Sequence, residues 1–275
     1  DIAIGVYRYG CDAWMEPELF HMDMQAGAPP DDFAPLGQNW GFPTYNWERM
    51  SKDGFQWWHK RFRQMSAYFD AFRIDHILGF FRIWSIPVQC TQGIMGRFVP
   101  AAPVHITEFG QRGLLFDHHR YCAPYITDAL LQESCGDRQA LVRPFLDDIG
   151  GGQHALKSPF DTQRKIARYF EGLEKTGEND FVCAILLDLA ANVLLFEEEG
   201  SSGAQFHFRF NMHHTASFRA LDPTAQSKLY DLYVDYFFRR QDKHWQEEAM
   251  KKLPALKQST NMLICGEDLG LVPTC

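Results

Sequence analysis

The chain has 275 residues, 45% hydrophobic and 15% aromatic, with a formal net charge of −8. That apolar content can fill the core of one large domain or two small ones. The mild acidity supplies no basic stripe for nucleic acid or a membrane surface, and no apolar run reaches the length of a membrane span. The seven cysteines are odd in number and form no CxxC pair, which argues against a disulfide framework and for the cytoplasm.

Asp1 opens directly into a strand-like run, Ile2–Val6, with no leader, and both ends of the chain are expected to be cut. The loop from Gly27 to Trp47 mixes glycine and proline with Phe33, Trp40, Phe42, Tyr45 and Trp47, and carries Asp31, Asp32, Gln38 and Asn39. Aromatic faces of this kind stack on sugar rings while amides and carboxylates read hydroxyls. The same composition also suits a surface loop whose aromatics tuck into the core. Phe55, Trp58, Phe62, Met65 and Phe69 recur at helical spacing and predict a helix over about 51–69. Ala71–Asp75 then alternates like a short strand. From Cys90 to Gly152 prolines punctuate a weaker pattern, and Gly150-Gly151-Gly152 reads as a flexible junction or hinge. Helices are predicted from Ser158-Pro159 towards Gly177, from Asp222-Pro223, and through Trp245 to Pro254; the apolar segment Phe181–Phe196 suits helix or buried strand, and its length favours helix. Strands are predicted at 205–210 and 262–265.

Two carboxylates, Asp75 and Glu267, fall where strands end, the position from which catalytic groups project in an α/β barrel. Such a pair suits glycosidic bond cleavage: one carboxylate attacks the anomeric carbon and the other protonates the leaving oxygen. A retaining pair stands about 5–5.5 Å apart. Arg73 lies two residues before Asp75, on the same side of a strand, where its charge would keep Asp75 ionised; His76 could bond a sugar hydroxyl. Taken alone, the string also suits a surface ion pair. His118-His119 and His213-His214 lack the spacing of metal-binding helices, and Glu197-Glu198-Glu199 reads as a solvated helix end or turn, so neither a metal nor a cofactor is expected.

The aromatic loop, the string Phe72-Arg73-Ile74-Asp75-His76 with Gly79–Pro87 after it, and Gly266-Glu267-Asp268-Leu269-Gly270 together resemble the 4-α-glucanotransferases of glycoside hydrolase family 77, the amylomaltases and disproportionating enzymes. The resemblance implies an α/β fold, part of a (β/α)8 TIM barrel of the α-amylase clan. By it Asp75 is the nucleophile, Glu267 the general acid/base, Arg73 and His76 contact the donor sugar, and Asp31, Phe33 and Trp40 belong to a lid on the acceptor side. The interval from Asp75 to Glu267 is much longer than in short members. The strings around Ser158–Lys165, Phe206–Phe210 and Ser217–Asp222 resemble the insertion of the plant cytosolic type and its bacterial relatives. The expected organisation is barrel segment 1–89, a large, mostly helical insertion 90–241, and barrel segment 242–275. The implied partners are maltose, malto-oligosaccharides and glucans, with no nucleic acid and no membrane. A hydrolase of the same clan and a non-catalytic glucan-binding fragment remain alternatives. A third catalytic aspartate is expected beyond Cys275, and the chain by itself is expected to be inactive.

Overall fold

The computed structural model describes residues 1–268; Leu269, Gly270 and Cys275 lie outside the described residues. Strand β1, Met24–Ala28, carries the small residues Ala26, Gly27 and Ala28. A side chain at Gly27 would meet the Gln38 carbonyl at 2.0 Å, so the close pass of the aromatic loop depends on that glycine. Helix α1 covers Gln56–Ser66 and buries Trp57, Trp58 and Phe62. It is shorter than the expected 51–69 because Gly54 and Phe55 take left-handed φ values of 71° and 61°, which interrupt a right-handed helix. Strand β2, Ala71–Ile74, buries Phe72 and Ile74 and exposes Ala71 and Arg73, as its alternation requires. Strands β3, Ile83–Pro87, and β4, Arg97–Val99, complete an antiparallel four-stranded sheet in the order Gln38–Asn39, β1, β3, β4.

The long stretch that follows contains more helix than strand, with two further three-stranded antiparallel sheets. Strands β5, Leu146–Gly150, and β6, Gln153–Leu156, form a hairpin. Gly150, Gly151 and Gly152, expected as a hinge, are the hairpin tip, with φ of 89°, 64° and 72°. Helix α2, Gln163–Glu171, starts later than Ser158-Pro159 suggested. Those two residues make only one tight turn, and the Lys165 N–H is capped by the Thr162 hydroxyl at 3.3 Å. Helix α3, Gly177–Ala190, is followed by strand β7, Leu195–Glu197, so the apolar run 181–196 divides between helix and strand. Strand β8, Gln205–Phe208, pairs with β7. Helix α4, Pro223–Phe238, is capped by Asp222, which accepts from the N–H groups of Thr224 and Ala225. Helix α5, Gln241–Gln258, runs through Pro254 instead of stopping there. None of the described helices is long and apolar enough to cross a membrane.

Strand β9, Leu263–Gly266, lies parallel to β2 with Gly266 opposite Ile74. Of the predicted opening strand, Ile2 alone pairs, in parallel with Ile74, through its N–H to the Arg73 carbonyl at 2.8 Å. Among the described residues these parallel neighbours form an open run and no barrel closes. One apolar cluster, including Ile2, Trp58, Phe62, Phe72 and Phe80, supports β2 from α1. Another joins Trp84 and Phe98 to Phe206, Phe208 and Trp245, so packing crosses both expected segment boundaries. The two ends of the long stretch are clamped together there. The Trp245 indole N–H donates to the Pro100 carbonyl at 2.8 Å, and the Gln241 amide bonds Ala102 in both directions at 2.8 and 3.0 Å.

Candidate active site

The register of β2 and β9 places Asp75 and Glu267 side by side, each just past its strand's C-terminal end. Backbone bonds fix this meeting. The Asp75 N–H donates to the Ile2 carbonyl at 3.0 Å, the Glu267 N–H to Ile74 at 3.0 Å, and the Ile77 N–H back to Glu267 at 2.9 Å. Gly266 is needed here, since a side chain on it would meet Ile77 Cδ1 at 2.6 Å. His76 takes a left-handed φ of 51°, which aims its backbone N–H at Glu267 Oε2, 3.0 Å away.

The two carboxyls share a hydrogen bond, a closer contact than the about 5–5.5 Å of a retaining pair with sugar between them. The Arg73 guanidinium lies 3.6 Å from Asp75 and 4.0 Å from Glu267, and spends its stronger contacts on Asp1, at 3.0 and 3.3 Å.

Arg73 favours the ionised form of Asp75, as expected from its place two residues before it, but it acts against stronger neighbours. The hydrogen bond that Asp75 can donate to Glu267, then burial, then the repulsion of the Glu267 charge push the Asp75 carboxyl above the usual carboxylate range, against the pull of Arg73. Glu267 moves the other way, held down first by the His76 N–H and then by its bond with Asp75. The two carboxyls titrate as one coupled unit, Asp75 pushed up and Glu267 held down. Burial, the largest influence, and nearby Arg82 lower the His76 imidazole below its ordinary value, so it is neutral at pH 7.

A cleft of about 680 Å³ opens over the pair, lined also by His76, Trp40, Phe42, Gln38 and Ile4. Trp40 is half-buried, stacked on Phe42 at 5.7 Å and edge-on to His76 at 5.2 Å; its indole N–H donates to Gln38 at 3.0 Å. Asp31 and Phe33 stand on the rim. One Asp31 oxygen accepts the N–H groups of Phe33 and Ala34, at 2.9 and 2.6 Å, and so shapes the loop tip, leaving Phe33 98% exposed. All seven predicted site residues therefore meet at one cleft, with Arg73 against the carboxylates and the rest lining it.

Gln38 and Phe42, noted in the aromatic loop, also line it, as does Ile4, which was not singled out. Arg8 was missed altogether: it donates to the carbonyls of Met22, Met24 and Gly41 at 2.6, 2.5 and 3.0 Å and ties the N-terminal run to the aromatic loop. An arginine between two tyrosines in a strand-like run carries no sign of that role.

Among the described residues no group of three or more His, Cys, Asp or Glu side chains could hold a metal ion. Glu197 and Glu198 differ from their expected solvated turn. Glu197 ends β7 and bonds His118 at 2.7 Å, while Glu198 meets buried His207 and Arg97, each at 2.7 Å.

The 4-alpha-glucanotransferase family model, glycoside hydrolase family 77, matches residues 1–275. The 4-alpha-glucanotransferase DPE2 of Oryza sativa subsp. japonica is 43% identical over 280 residues, which covers 100% of this chain and 29% of that protein. The 4-alpha-glucanotransferase of Streptococcus pneumoniae is 41% identical over 105 residues, 36% of this chain and 21% of its own length, a match too short to span both carboxylates. The crystal structure of amylomaltase from Corynebacterium glutamicum is 28% identical, with a TM-score of 0.34 over 43% of this chain and 15% of that one, too loose a superposition to speak for the fold. The chain thus spans less than a third of the curated relatives it matches. By the match over its whole length, the chain belongs to the 4-alpha-glucanotransferase family of glycoside hydrolases.

Proposed function

We propose that the whole protein is a retaining 4-α-glucanotransferase that moves α-1,4-linked glucosyl units between maltose or malto-oligosaccharides and larger glucans, in the cytoplasm and without a cofactor. The observation that carries this reading is the Asp75–Glu267 pair at the ends of adjoining parallel strands, under a cleft walled by Trp40 and Phe42. The rest of a (β/α)8 barrel belongs to the parent chain, and residues 90–241 are an insertion into it. The order α1–β2 and α5–β9, with the strands parallel, supports the barrel, as does Leu263, 66% exposed on β9.

Catalysis begins with the shared proton. With the glucan bound, the pair's one proton sits on Glu267 and Asp75 is ionised. Asp75 attacks C1; the C1–O4 bond breaks, and Glu267 gives its proton to the departing O4. The 4-hydroxyl of the acceptor then attacks C1, loses its proton to Glu267 and releases Asp75. Neutral His76 can hydrogen-bond a sugar hydroxyl without adding charge beside the oxocarbenium-like centre. Trp40 covers the pair and shields the intermediate from water, which is what separates transfer from hydrolysis. The test is to incubate the full-length protein with maltose and glycogen and follow glucose release and chain-length change. Transfer is expected; an absence of any glycosidic turnover sinks the reading.

Two predictions follow from the geometry. The productive pair holds one proton, so kcat/KM is bell-shaped in pH. Its acid limb is set by the lowered Glu267 and its alkaline limb by the raised Asp75. Arg73 favours both ionised carboxylates, so Arg73→Gln moves both limbs to higher pH; limbs that stay in place show that the guanidinium is spent on Asp1. In the second, Trp40→Ala raises the fraction of donor hydrolysed and the acceptor concentration needed for transfer, read from glucose released against oligosaccharide formed. An unchanged partition makes Trp40 a packing residue and favours the hydrolase reading.

A further inference from the structure

A second cavity, of about 510 Å³, lies beside the catalytic cleft and shares Ile4, Trp40, Phe42 and Asp75 with it. Its size falls in the about 300–1,000 Å³ range of small-molecule sites. Its far wall comes from the long stretch between the two carboxylates: α2 supplies Arg164, Arg168 and Glu171.

Arg164 fixes that helix in place. Its side chain donates to the Val88 carbonyl at 3.1 Å, Gln25 Oε1 at 3.1 Å and the Cys90 carbonyl at 3.3 Å, and its backbone N–H donates to Gln89 at 2.8 Å. Arg168 follows one helical turn later and Glu171 three residues after that, on the same side of the helix. Both are exposed, and neither makes a hydrogen bond or ion pair among the described residues. Tyr7 and Tyr9 line the same cavity, 72% and 80% exposed, with ring centroids 5.9 Å apart and planes at 80°. Arg8, between them, is held by the three carbonyls named above, so both rings project from an anchored backbone. Free polar groups of opposite sign facing exposed aromatic rings suit a neutral polyhydroxylated chain better than an anion, which Glu171 would repel.

We propose that this cavity is a further glucosyl-binding subsite for a longer α-glucan chain, continuous with Asp75. Tyr7 and Tyr9 offer ring faces, and Arg168 and Glu171 hold hydroxyls. The inference rests on the glucanotransferase reading above and gives the stretch between the carboxylates a part in choosing chain length.

The test compares transfer from maltoheptaose and from maltose by the full-length protein, its Arg168→Ala/Glu171→Ala double variant, and Tyr9→Ala. The ratio of kcat/KM for maltoheptaose to that for maltose is expected to fall about tenfold in each variant, the size of one or two lost hydrogen bonds or a lost stacking face. Arg168→Lys should restore part of it in the single-site background. An unchanged ratio, with the wild type active on both sugars, overturns the subsite and leaves the functional reading standing. Equal loss on both sugars in both variants also overturns it, because α2 would then be acting on the position of the catalytic pair. A wild type inert towards both sugars overturns the functional reading, and the subsite with it.

Discussion

Asp75→Asn in the full-length protein is expected to lower glucan transfer by about 10⁴-fold or more, the scale on which a covalent nucleophile fails. The asparagine amide can still donate to Glu267, so the strand ends keep their places and the loss reports chemistry instead of folding. Glu267→Gln is expected to cost less, about 10²–10⁴-fold, because it removes proton transfer and leaves the attacking group. The two variants separate further with a glucosyl fluoride donor, whose leaving group needs no protonation. Glu267→Gln should regain much of its glucosylation step on that donor, and Asp75→Asn should regain none. The opposite pattern would exchange the two roles. That result is a real alternative on electrostatic grounds, since the surroundings push the Asp75 carboxyl up and hold Glu267 down.

Trp58→Ala is expected to destabilise the protein by about 3–5 kcal/mol, the cost of emptying a large aromatic site. Trp58 is fully buried in α1, where it meets Phe80 at 4.7 Å, Trp57 at 5.0 Å, Tyr45 at 5.3 Å and Phe62 at 5.6 Å. Phe62 in turn packs on Phe72 of β2 at 5.1 Å, so the void lies one layer below the strand that leads to Asp75. The Trp58 indole N–H has no hydrogen-bond partner among the described residues. Trp58→Phe therefore removes an unsatisfied donor along with some volume, and should cost clearly less than the alanine variant. Urea unfolding followed by tryptophan fluorescence measures both. An alanine cost under about 1 kcal/mol would mean that this cluster does not support the fold.

The strands that carry Asp75 and Glu267 were legible because their signals are local. Phe72 and Ile74 alternate with Ala71 and Arg73, and the carboxylates follow directly where the alternation stops. Asp222-Pro223 named its helix start for the same reason, since a cap and its helix are adjacent in sequence. What stayed hidden depends on distant partners. Phe55 gives no sign that it will adopt a left-handed φ, and Pro254 is tolerated inside α5. The opposite shifts of the two carboxyls depend on where the His76 N–H and Glu267 meet, 191 residues apart, and so could not be read from the Arg73–Asp75 spacing. The part of α2 in the second cavity was equally invisible, because Arg164 reaches Gln25 across 139 residues.

The clamp between Pro100–Ala102 and Gln241–Trp245 bears on the order of folding. Pairing β9 with β2 closes a loop of nearly two hundred residues, and closure entropy rises with the logarithm of loop length. Once the clamp is made, the path from Asp75 to Glu267 shortens to about 50 flexible residues' worth of chain, which lowers the closure cost by about 1 kcal/mol. The carboxylates are thus brought together most readily after the stretch between them has folded. A chain whose middle is still unstructured holds Asp75 and Glu267 on separate, unpaired strands, and so carries no assembled carboxylate pair.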